Sequence, residues 1–157
     1  MSQLDLKEYA INGVRGAAKK FCEDMEAMDE THLAECPGGT ARAILDFAYE
    51  TCFVNRMIAD RLAGRTPAEW PWNDNWAKAP EGYTKEQAIA DLRDSADAIL
   101  SELEKADADK ILDRIEVDGR QTSIFERANF AAMHMMYHDG QINYCQAMKG
   151  DLEMHWT

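Results

Sequence analysis

Basic residues are scarce in this chain: 17 Lys and Arg stand against 29 Asp and Glu, a formal net charge of -12. No Lys/Arg cluster interrupts the acidic background, so neither counterion release on nucleic acid nor attraction to anionic lipid has a footing. Long apolar runs are missing too. No stretch approaches the roughly 20 apolar residues that span a bilayer, and the opening MSQLDLKEYA lacks a basic segment followed by an apolar one. The expectation is a cytoplasmic protein with no nucleic-acid or membrane partner. Cys22, Cys36, Cys52 and Cys145 form no C-x-x-C pair; they read as reduced thiols, with a Cys22 to Cys36 disulfide as the alternative. Familiar catalytic signatures are absent as well. There is no E-x-x-H, which excludes the paired motif of di-iron carboxylate bundles. There is no G-x-S-x-G to carry a serine nucleophile, and Met135 stands where an H-E-x-x-H metalloprotease needs its base.

What is present is helical periodicity. Ala10, Val14, Ala17, Phe21, Met25 and Met28 recur at spacings of three and four, which predicts a first helix over residues 6–28. Pro37, Gly38 and Gly39 then stop the chain; Thr40 is a candidate N-cap for a second helix over residues 41–63, with Gly64 as its stop. Thr84 and Gln87 match a capping box for a third helix ending near Ala106. Asp118 and Gly119 form a turn dipeptide in a short extended excursion, read as too brief for a sheet. Ser123 or Thr122 caps a last helix that runs to about Lys149 and stops at Gly150. The sum is an all-α single domain over residues 1–157, a four-helix bundle with long crossover loops. Residues 65–83 contain three prolines and the tryptophans Trp70, Trp72 and Trp76, so they form a long loop, either a cap on the core or a lid over a pocket.

The last helix carries the chemistry. His134 and His138 are four residues apart and project from one side of a helix, a spacing suited to a metal ion. Arg127, Phe130, Gln141 and Cys145 share that stripe, all within about 40° of His134 at 100° per residue. Asn129, Phe125, Gln146 and Asp139 fall on the opposite side. A stripe of His, His, Gln, Cys and Arg is too polar for packing alone, because each buried polar group costs a few kcal/mol unless partnered. The plainer alternative is two core histidines bonded to facing side chains or water. Gly140, inside the helix, costs about 1 kcal/mol against Ala and suits close helix packing or a close ligand. Cys145 lies two turns beyond His138, too far for activation by it.

The run His134, Tyr137, His138, Gly140, Gln141, Asn143 and Tyr144, followed by Gly150, Asp151, His155 and Trp156, resembles the DinB/YfiT-like superfamily of metalloenzyme bundles over essentially the whole chain. The resemblance implies an up-down-down-up four-helix bundle, commonly a homodimer, holding a divalent metal through one histidine of the second helix and two of the last. It also implies, for some members, transferase or isomerase activity with a low-molecular-weight thiol such as bacillithiol or mycothiol. His134 and His138 match the two last-helix ligands. In the second helix the expected histidine falls on Phe47, which cannot ligate. Thr51 and Asn55 share its stripe, Glu50 stands at the flank with a carboxylate that can reach inward, and His32 and His155 are the remaining imidazoles. The expected site is therefore His134, His138 and Glu50 around zinc or nickel, in a pocket with Phe47, Thr51, Asn55, Tyr137, Gln141 and Cys145. Two functions follow. One is a metal-dependent, thiol-linked transferase or hydrolase-like enzyme acting on a small molecule; the other is a metal-free, non-catalytic bundle that binds a small molecule or acts by dimerising. Phe47 favours the second and the intact last-helix pattern the first.

Overall fold

A computed structural model describes residues 5–72 and 77–156. They are mostly helical: α1 (Leu6–Ala27), α2 (Glu30–Ala34), α3 (Ile44–Leu62), α4 (Lys85–Lys105) and α5 (Ile124–Met148), with a short ribbon of β1 (Ile115–Val117) and β2 (Arg120–Thr122) before α5. The helix ends are fixed by side chains. Asp5 accepts from Lys7 N and Glu8 N at the start of α1, Thr84 and Gln87 close the expected capping box on α4, and Ser123 accepts from Glu126 N on α5. Each satisfies amides that the helix itself leaves unpaired.

The sequence expectation differs from the structure in three places. The segment between α1 and α3 is not all loop, because Asp29 caps the short α2. The helix placed over residues 41–63 begins at Ile44 with Ala43 as its cap, and not at Thr40. Gly38 and Gly39 (φ 137° and 59°) fold the chain into a turn closed by Ala41 N donating to Gly38 O, so Thr40 is spent in that turn. The excursion at 115–122 does pair as a two-stranded antiparallel sheet, Ile115 opposite Thr122 and Val117 opposite Arg120. Asp118 and Gly119, both at positive φ (52° and 73°), supply the backbone twist of the tight hairpin turns that favour Asp-Gly. At the other end of α3, Gly64 N donates to Arg61 O and Arg65 N to Asp60 O, the pattern by which a left-handed glycine ends a helix.

The four long helices pack side by side, α1 against α4 and α5, and α3 against α4 and α5. Lys7, at the start of α1, donates to Glu104 O and Ala106 O at the end of α4. Lys85, at the start of α4, donates to Glu26 O and Met28 O at the end of α1. Each lysine thereby serves carbonyls that its neighbour's C-terminus leaves open. Tyr9 meets Phe125 where α1 and α5 start, and Gln146 donates to Asp24 O where they end. Phe47 lies on His138 and Asn55 on Met135, which orders α3 against α5. Phe21, Met25, Ile58, Leu92, Ile99, Met135 and Ile142 are fully buried between the helices. No described helix is long and apolar enough to cross a membrane.

Trp70 and Trp72 lie on the flank of α3, edge-on to Phe53 and, for Trp72, to Tyr49 as well. Trp76 lies outside the described residues. All four cysteines are free.

Candidate metal centre and its pocket

The buried arc of α5 includes Ala128, Ala131, Met135, His138, Asp139, Ile142, Cys145 and Gln146. Its middle is apolar, and the polar residues fall at its two edges. His134 and His138 mark one edge and Asp139 and Gln146 the other, so of the residues expected to oppose the histidines Asp139 and Gln146 are buried, against α1, while Asn129 is exposed. A stripe centred on His134 is thus off-centre, and Phe130 at its outer margin is 41% exposed.

At the histidine edge, α3 supplies Glu50. Its Oε1 lies 3.7 Å from His138 Nε2 and 3.9 Å from His134 Nε2. The three side chains offer ligand atoms that all fall within 4.8 Å of one another, a group that could hold a metal ion. Tetrahedral ligands at the usual zinc bond lengths stand about 3.4 Å apart, so the two distances from Glu50 to the imidazoles need only a few tenths of an ångström of contraction. His138 is 2% exposed in its side chain. Its ring stacks on Phe47 at 5.1 Å and 9°, and its Nδ1 pairs with Gln141 Oε1 at 2.7 Å. An amide oxygen can only accept, so Nδ1 carries a proton and Nε2 is the ring nitrogen turned toward Glu50. His134 stacks on Phe130 and meets His138 edge-on at 4.7 Å; its buried Nδ1 has no partner among the described residues. Burial alone would favour a neutral Glu50. The nearby imidazoles of His134 and His138, with the hydrogen bond and charge of Arg42, outweigh it and hold the carboxyl well below its usual range. The donor set of two imidazoles and one anionic carboxylate suits zinc or nickel.

Beside the trio opens a pocket of about 590 Å³, within the range of small-molecule sites. Phe47, Tyr137, Gln141 and Cys145 line it, together with Arg42, Tyr144, Met148 and the turn at 37–41. Thr51 and Asn55 are not among its lining residues. The Thr51 hydroxyl donates back to Phe47 O, and Asn55 points toward α4 and Met135, donating to Ser95 Oγ at 3.2 Å. Trp70 and Trp72 do not line it either. Burial pushes the Cys145 thiol up, which makes it a reluctant nucleophile. Arg42 escapes a periodicity argument because it precedes α3. Tyr144 and Met148 continue the outer stripe of α5 from Tyr137 and were legible at three- and four-residue spacing.

At the other edge, Asp24 of α1 and Asp139 are both fully buried. Asp24 Oδ2 accepts from Asn143 Nδ2 (2.6 Å) and Trp156 Nε1 (2.7 Å), and Lys20 sits 4.4 Å over the Trp156 ring. Neither oxygen of Asp139 meets an amide, hydroxyl or charged donor among the described residues. Burial, then a hydrogen bond with Asp24 and its negative charge, pushes the Asp139 carboxyl up to about 8. His155 pairs instead with Asp151 at 2.8 Å, away from the trio.

A sequence profile of the DinB superfamily matches residues 26–142. No curated protein sequence matches the chain. A crystal structure of a conserved protein of an Enterococcus faecalis locus is similar in fold, with a TM-score of 0.73 at 15% identity over 94% of this chain and 99% of that one.

Proposed function

The chain belongs to the DinB superfamily, and we propose that within it this protein is a divalent-metal-dependent enzyme, a thiol-linked transferase or hydrolase-like catalyst of small-molecule chemistry. The observation that carries the reading is the convergence of Glu50 Oε1 with His134 Nε2 and His138 Nε2 at the mouth of a pocket. Glu50 would stand in for the imidazole that Phe47 displaces, one helical turn further along α3. A metal so held lowers the pKa of a coordinated water or thiol toward neutrality. The chain's own residues do the rest: Gln141 and Phe47 fix the ring of His138, Arg42 steadies Glu50, and Tyr137, Tyr144 and Met148 offer an apolar wall to the substrate. The fold proposed with it is an up-down-down-up four-helix bundle, supported by the end-to-end contacts of α1 with α4 and the ring order of α3 against α5. The same reading has the protein act in the cytoplasm as a homodimer, with zinc or nickel bound and without nucleic-acid or membrane partners; the charge of -12 supports that last exclusion.

One observation favours the metal-free, non-catalytic reading. Arg42 already neutralises Glu50, and Phe47 already covers His138, so the site is electrostatically complete without an ion. Elemental analysis of tag-free protein and of His134→Ala separates the two. The metal reading expects about one zinc or nickel per chain, lost in the variant; a wild type that carries none after incubation with both metals contradicts it.

A further inference from the structure

The two oxygens of Glu50 face different partners. Oε1 is the atom near both imidazoles, while Oε2 takes the hydrogen bond of Arg42 Nη1. Arg42 reaches it from eight residues back, from the segment between the turn at Gly38 and Gly39 and the start of α3 at Ile44. Both side chains are largely withdrawn from solvent, 15% and 12% exposed, so this contact differs from the solvated surface pairs that contribute little. A carboxylate can give a cation one oxygen or two. A guanidinium stays protonated and cannot ligate, so an oxygen that it holds is withdrawn from the ion.

Resting on the metal reading above, we propose that Arg42 is a positioning residue that makes Glu50 a one-oxygen ligand and so keeps a coordination position open on the pocket side. The charge of Arg42 opposes that of the incoming cation, and the carboxylate between them screens the repulsion. Its role is thus to set how Glu50 binds and what room is left for a substrate atom. Removing it frees Oε2 to swing onto the ion and close that room.

Cobalt(II) titration of tag-free wild type, Arg42→Gln and Arg42→Lys tests this, with the metal-free melting temperature as the control for folding. The wild type is expected to give intense visible bands of low coordination number. Arg42→Gln is expected to give markedly weaker bands, the mark of a higher coordination number, with an affinity shifted by about tenfold, the usual size of an outer partner's effect on a ligand. Arg42→Lys, which keeps a charged donor for Oε2, is expected to recover most of the wild-type spectrum. If Arg42→Gln loses its melting transition, Arg42→Met repeats the comparison. A folded Arg42→Gln or Arg42→Met with the wild-type spectrum and affinity overturns the role of Arg42 while leaving the metal site standing. A wild type that takes up no cobalt overturns the metal reading, and this inference with it.

Discussion

The Glu50, His134 and His138 cluster on one edge of α5 opens onto a pocket of about 590 Å³, whereas the Asp24 and Asp139 cluster on the other edge is sealed between α1 and α5. Both bury charge-bearing groups at helix–helix contacts. In the first, unlike groups converge: a carboxylate kept ionised by Arg42 and the imidazoles stands against two ring nitrogens with room beside them. In the second, two like groups face each other and one is pushed toward its neutral form. Burial of polar atoms is common to both, so burial alone does not mark a functional site. The convergence of unlike donors on a shared, accessible point is what singles out the first cluster as the candidate. The sealed cluster instead joins α1, α5 and the C-terminal segment, since Asp24 holds Asn143, Gln146 and Trp156 together.

That contrast breaks most easily at Glu50. Glu50→Gln keeps the shape and removes the anionic ligand, so zinc affinity is expected to fall about a hundredfold or more, while Asp139→Asn leaves it within about threefold; chelator competition measures both, and two-state loss of the ion is pH-dependent because the ligands must be deprotonated. An equal loss in the two variants would erase the distinction between the clusters.

A second expected effect runs the other way. Asp24→Ala strips the acceptor from Asn143 and Trp156, and a buried donor left unsatisfied costs about 1–3 kcal/mol. Denaturant unfolding of the metal-free protein should register a loss of about 2 kcal/mol, with metal affinity unchanged. A variant as stable as wild type would mean that the Asp24 contacts contribute nothing net.

The smallest effect is a slope. Asp139 titrates near its ordinary value of 3.8 when unfolded and at about 8 when folded, so between those values the folded state binds the extra proton. Stability is then greatest below about pH 4 in this contribution and falls as pH rises toward 8. Metal-free wild type should lose more than about 1.4 kcal/mol across that interval, the worth of one pKa unit, relative to Asp139→Asn. Parallel pH profiles for the two proteins would contradict the paired-carboxyl account.

The helices were legible because their signals are local. Periodic Ala10, Val14, Ala17 and Phe21, the Thr84 and Gln87 box and the Gly64 stop each act within a turn or two of chain. Ile44 as the true start of α3 was not, since Gly38 and Gly39 use Thr40 in a turn that has no periodicity. The histidine pair and the flank position of Glu50 were readable from helix geometry. Thr51 and Asn55 misled because sharing a stripe with Phe47 does not aim a side chain; Thr51 bonds its own helix and Asn55 turns to α4. Arg42 depends on a loop fold, and Asp139 on which neighbour covers that side of α5. A lone aspartate on a helix reads as a solvated charge until its partner is known. Asp24 left one trace, standing three residues after Phe21 and four before Met28 within an apolar stripe.

Diffraction at the zinc absorption edge, from crystals of tag-free protein grown with zinc, tests the central claim most directly. The account predicts one strong anomalous peak per chain, within bonding reach of Glu50 Oε1, His134 Nε2 and His138 Nε2 together. A zinc-free trio, or a peak only at the Asp24 and Asp139 cluster or on the surface, would contradict it.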